Sequence, residues 1–141
     1  MKEKINVTAG IIYRNDGKVL ICRRLMTSTV AAGLWEFPGG KQEPEDWTLK
    51  DCLERELFEE LQILVRIHSK FTETEYDYGK PKICHLHVFF CSPISGEIKL
   101  SEHSEFKWVH INELVNFEFT PTNVPVVLLL IKELGNWQKQ P

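Results

Sequence analysis

Short apolar runs, cut at regular intervals by turn residues, dominate the first third of the chain. Residues 7–13 and 18–24 read as two strands, and Asn15, Asp16 and Gly17 between them read as a hairpin turn. Residues 26–33 are small and polar, a loop. Residues 34–37 are a short extended piece that Pro38, Gly39 and Gly40 break. Asp46 or Thr48 can cap a helix running to about Leu61. Residues 63–67 and 71–76 then read as strands. Residues 77–81 turn the chain, and 83–91 return as a buried strand. Residues 106–109 form another strand and 112–117 a short helix. A last helix lies within 121–134, ended by Gly135. Strands lead and two substantial helices intervene, so the pattern predicts an α+β domain, a single one over residues 1–141.

The first helix breaks its own pattern. Leu49, Cys52 and Leu53 open an apolar stripe, and continued at helical spacing it reaches Glu56 and Glu60. A helix turns about 100° per residue, so Glu56 and Glu60 lie about 40° apart and Glu59 about 60° to the other side of Glu56. Like charges at this spacing repel, and a fold tolerates them on an inward face when a cation sits there. Leu53, Leu57 and Leu61 carry the stripe on beside them. Phe58 lies on the far side and implies packing on a second face.

Bulk properties narrow the classes. With 141 residues, 43% hydrophobic, the chain can bury a core. A formal net charge of −3 supplies no basic field for nucleic acid, and no stable nucleic-acid complex is expected. No apolar run suffices for a membrane span, and no signal peptide opens the chain. Cys22, Cys52, Cys84 and Cys91 sit among apolar residues without a paired motif, which reads as reduced core thiols in a cytoplasmic protein. His85 and His87 flank Leu86, but no second ligand pair of zinc-type spacing follows, so a structural zinc site is not expected.

Carboxylates behind a Gly-Gly loop are hard oxygen donors suited to Mg²⁺ or Mn²⁺. Magnesium commonly shares its shell with phosphate oxygens, which points to phosphorus chemistry. Arg55, one turn from Glu59, can orient it. The competing reading is a solvated acidic face. The Gly-Gly-Lys element and the interrupted stripe favour the metal.

Gly40, a spacer, and then Arg55, Glu56, Leu57, Phe58, Glu59 and Glu60 resemble the Nudix box of the MutT-type nucleotide pyrophosphohydrolases. The likeness runs on through residues 9–12, Trp35 to Lys41, Glu102 and His103, Trp108, and residues 121–125. Two departures stand out. Arg55 comes one position late after Gly40, so the first box glutamate is matched by Glu45 or Asp46. Gln62 stands where the box has glycine.

The resemblance implies the Nudix fold, a mixed sheet sandwiched between helices. It implies Glu56, Glu59 and Glu60 as metal ligands, with the carbonyl of Gly40 (or Gly39) contributing. Either Glu56 or Glu59 would activate water through the metal. Glu102 resembles a distal glutamate that serves as metal ligand or general base, with Glu105 the alternative. Lys41 and Arg23 are expected near the nucleotide, Phe37 against the base, and His85 or His87 facing the pocket. Asn123 matches an asparagine that reads oxidised guanine in MutT proteins; as an ordinary residue it would cap the last helix.

The activity implied is Mg²⁺-dependent hydrolysis of nucleoside triphosphates to monophosphate and pyrophosphate. Substrates such as 8-oxo-dGTP come first and cytidine triphosphates second. The rival from another class is a non-catalytic nucleotide-binding domain. A monomer or homodimer is expected.

Overall fold

Strands with continuous buried runs and an apolar stripe on each helix organise the molecule around a mixed three-stranded sheet and a second, antiparallel one. The computed structural model describes residues 1–135. In chain order the elements are β1 (Lys4–Ile12), β2 (Lys18–Arg24), β3 (Trp35–Glu36), α1 (Leu49–Leu61), β4 (Leu64–Tyr76), β5 (Ile83–Ser95), β6 (His103–His110), a 3-10 helix (Ile111–Asn116) and α2 (Val124–Leu134). One sheet has the order β1-β5-β4, with β1 parallel and β4 antiparallel to β5. The second has the order β3-β2-β6 and is antiparallel.

Two apolar clusters result from the alternation of strand side chains. Ala9, Ile11, Leu86 and Val88 point to the side carrying Val126, Val127 and Leu130 of α2. Ile12, Phe89 and Cys91 point to the side carrying Leu53, Leu57 and Leu61 of α1. The first sheet thus lies between the two helices, an α+β arrangement.

Three sequence expectations change. The turn at Asn15, Asp16 and Gly17 forms, with Gly17 at φ 81°, but β1 and β2 enter different sheets, with an isolated bridge between Tyr13 and Val19 in place of a hairpin ladder. The strands expected at 63–67 and 71–76 are one strand, β4. Its register against β5 shifts between Ile67 and Lys70 and again between Lys70 and Thr72, so bulges absorb the polar interruption at His68 and Ser69. Phe58 is 54% exposed, so α1 packs through one face.

Both ends of α1 are explained by local chemistry. Thr48, not Asp46, is the N-cap: the Asp51 backbone N–H donates to its hydroxyl at 3.1 Å. At the other end Gln62 takes the left-handed conformation, φ 58° and ψ 34°. The glutamine therefore occupies the backbone state for which the box uses glycine, and the helix end keeps its shape.

Candidate active site

The loop before α1 is held against β1 so closely that side chains are excluded. The Thr8 backbone N–H and hydroxyl both donate to the Gly40 carbonyl, at 2.8 and 3.2 Å, and the Gly10 N–H donates to Pro38. A Cβ on Gly39 would lie 2.0 Å from the Thr8 carbonyl oxygen. One on Gly40 would lie 2.3 Å from the Glu56 carboxylate. Both glycines are there for close approach. Because Thr8 takes both lone pairs of the Gly40 carbonyl, the Gly39 carbonyl is the backbone oxygen left for a ligand.

Asp46 settles the ambiguity at the first box acid. Its side chain, 4% exposed, receives two bonds from the Arg55 guanidinium, at 2.8 and 2.7 Å. Arg55 holds that carboxyl well below the usual range. The shorter aspartate reaches the arginine in a loop lengthened by one residue, and Trp47 beside it is exposed. Arg55 also donates to Glu56 at 2.8 Å, to Glu59 at 3.0 Å and to the Lys41 carbonyl at 3.1 Å. One guanidinium thus ties the loop to the helix.

Glu60 points inward. Burial, then the charges of Glu56, Glu36 and Glu102, push its carboxyl far above the usual carboxylate range. Its Oε2 is buried without a hydrogen-bond partner. Glu102 lines the same cavity because the loop before β6 is fastened to the C-terminus of α1. The Ser101 N–H donates to the Glu60 carbonyl at 3.2 Å, and its hydroxyl to the Glu59 and Glu60 carbonyls.

An open cavity of about 750 Å³ runs from these acids across β1 to Asn123, just before α2. It is lined by Glu36, Glu56, Glu60 and Glu102, by the Gly39–Gly40–Lys41 loop, and by Phe37 and Asn123. Glu59 is not in this lining; its side chain is 57% exposed and held by Arg55. An orphaned buried carboxylate oxygen, hard oxygen donors on several elements and a glycine cradle together fit a divalent cation, with Glu56, Glu60, Glu102 and the Gly39 carbonyl as the donors at hand.

Three cavity residues carry weak sequence signals. Glu36 interrupts an apolar pair, Trp35 and Phe37. It accepts from Arg24 at 3.1 Å and bonds His103 Nε2 at 2.9 Å. His103 is buried, with Nδ1 unpartnered. Arg24 lines the cavity, while its neighbour Arg23 turns to the Gly33 carbonyl and Glu105. A register shift between these arginines in the β2–β6 ladder separates them. Two adjacent arginines at the end of β2 do not reveal from the sequence which one turns inward.

The base end departs further from expectation. His85 and His87 lie outside the cavity lining, because Cys84 and Leu86 take the cavity side of β5. Phe37 is buried against Phe119, ring centroids 5.6 Å apart, while still touching the cavity. Asn123 is 3% exposed and makes no capping bond. Its Oδ1 accepts from the Phe37 N–H at 3.2 Å and its Nδ2 donates to Thr120 at 2.8 Å.

Comparison with known proteins agrees with this geometry. The model of the NUDIX domain matches residues 4–130. The CTP pyrophosphohydrolase of Escherichia coli (strain K12) is 34% identical over 87% of this chain and 88% of its own. The 8-oxo-dGTP diphosphatase of Haemophilus influenzae is 31% identical over 96% and 98%. The crystal structure of the MutT protein from Methanosarcina mazei Go1 superposes with a TM-score of 0.82 at 27% identity, over 95% of this chain and 96% of that one. With the box on α1, the acid-lined cavity and a family match over most of its length, the chain is a member of the Nudix hydrolase family.

Proposed function

We propose that this hydrolase is a Mg²⁺-dependent nucleoside triphosphate pyrophosphohydrolase that releases nucleoside monophosphate and pyrophosphate. The observation that carries the reading is the convergence of Glu36, Glu56, Glu60 and Glu102 beside the Gly-Gly loop, with one Glu60 oxygen buried and unpartnered. Magnesium, or manganese in its place, would neutralise phosphate charge and acidify a bound water. Glu56, Glu60 and the Gly39 carbonyl would hold it, and Glu102 would accept the proton of the attacking water. Arg55 keeps Glu56 in place. Lys41 and Arg24 offer positive charge to the phosphates from the cavity wall. Glu59, on the solvent side of Arg55, serves the site through that arginine.

Oxidised purine nucleotides such as 8-oxo-dGTP are the substrates we propose first, which makes the role cleansing of the cytoplasmic nucleotide pool ahead of DNA repair. The 31% identical relative supports this assignment. Cytidine triphosphates are the second reading. It is favoured by the Asn123 amide, already bonded at both ends within the protein, and by the 34% identical relative.

Pyrophosphate release from a panel of nucleoside triphosphates with Mg²⁺ tests both. Turnover is expected to fall about 100-fold or more in Glu56→Gln and in Glu60→Gln. Absence of turnover on every member of the panel would overturn the enzymatic reading. The ratio of kcat/KM for 8-oxo-dGTP over CTP decides between the substrates.

A further inference from the structure

The antiparallel register of β4 and β5 sets Glu73 directly opposite His87, with His85 two residues along the same strand face. Their ligating atoms all lie within 4.8 Å of one another. His85 Nε2 is 2.6 Å from Glu73 Oε1, and the two imidazole rings sit 4.1 Å apart. None of the three lines the acid cavity. From these residues we propose a second metal site, specific for a borderline divalent ion of the zinc class and separate from the hard-oxygen site on α1.

Donor type is the first argument. Two imidazoles and one carboxylate suit Zn²⁺, Co²⁺ or Ni²⁺, whereas Mg²⁺ prefers an all-oxygen shell. The second argument is the support behind His87. Its Nε2 bonds Asn6 Oδ1 at 2.9 Å, and the Asn6 amide is oriented by donating to Gln42 Oε1 at 3.1 Å. That arrangement keeps the His87 proton on Nε2 and turns the Nδ1 lone pair toward Glu73 and His85, as outer partners of metal-bound histidines do. The third is the present occupant. The Lys70 ammonium bonds Glu73 and lies 2.8 Å from His87 Nδ1. A cation already bridges two of the three donors, carried on a flexible stem that can swing to solvent. A zinc-class ion would displace it, leaving Glu73 and His85 at the accessible side with room for water in the remaining position.

Calorimetric titration with Zn²⁺ in excess Mg²⁺ tests the site, together with visible absorption of the Co²⁺ complex. One equivalent is expected to bind, and to bind still in a Glu56→Gln/Glu60→Gln double variant. Binding should be lost in His85→Ala and in Glu73→Gln, each checked for native circular dichroism. It should weaken about 10-fold in Asn6→Ala and tighten about 10-fold or more in Lys70→Gln, which removes the competing charge. Zinc affinity weaker than about 1 mM in both the parent and Lys70→Gln would overturn the proposal. So would binding that survives His85→Ala and Glu73→Gln but disappears with Glu56 and Glu60, since that ion belongs to the acid cavity.

Discussion

A carboxylate oxygen buried without a partner is costly, and Glu60 carries one beside three other glutamates. In the metal-free protein, Glu60→Gln should therefore raise stability by about 1–3 kcal/mol by chemical denaturation in EDTA. The sign of the pH effect follows from the raised folded pKa. The carboxyl contributes stability below the ordinary value of 4.5, and that contribution is lost as pH rises toward the folded value. Parent stability in EDTA should fall over this interval, and the fall should be shallower in Glu60→Gln. Asn123 presents a different case, because its side chain links the Phe37 backbone to Thr120. Asn123→Ala should cost about 1–3 kcal/mol. If Asn123 also reads the base, the kcat/KM ratio of 8-oxo-dGTP to dGTP falls with it. An unchanged ratio together with a lowered Tm assigns Asn123 to holding the wall of the pocket. The sequence identifies this residue but not its bonds, because both partners arrive from other parts of the chain.

At the scale of the element, α1 was the most legible part. Its stripe, its acids and its Thr48 cap all follow from spacing within about four turns. Its left-handed end at Gln62 is the residue in a sterically disfavoured state. Gln62→Gly should stabilise the protein by about 1 kcal/mol, read as a rise in Tm of about 2–4 °C. The loop ahead of α1 is the converse case, where space rather than dihedral angle demands glycine. Gly40→Ala drives a methyl into the Glu56 carboxylate, so turnover should drop about 100-fold or more even where thermal unfolding shows the fold retained. The strands were legible as elements but not as partners. β1 and β2 share a turn yet separate into two sheets, and bulges carry β4 as one strand past the polar interruption at His68 and Ser69.

For the molecule as a whole, the site exists where the ends of several elements meet. Glu36 comes from β3, Glu56 and Glu60 from α1, and Glu102 from the loop that Ser101 fastens onto the end of α1. An ion held by Glu56, Glu60 and the Gly39 carbonyl, as proposed, would join separate parts of the chain only in the folded state. Mg²⁺ at about 100 times its Kd should therefore add about 2.7 kcal/mol to the stability of the parent, and much less to Glu60→Gln. Thermal scans across a Mg²⁺ series check this.

By itself the sequence determined the strand and helix content, the interrupted stripe of α1, the close-packed glycines and the family to which they point. These are properties of neighbours along the chain, and periodicity and steric demand record them locally. Only the tertiary structure decided that Asp46 rather than Glu45 meets Arg55, that Arg24 rather than Arg23 turns to the cavity, and that Glu59 stays outside it. It also carried Glu73 to His85 and His87, where spacing along the sequence offered no third ligand. Such meetings depend on strand register, on bulges that shift it, and on packing between sheets. Those are set by contacts between distant segments, to which no short pattern of residues is bound.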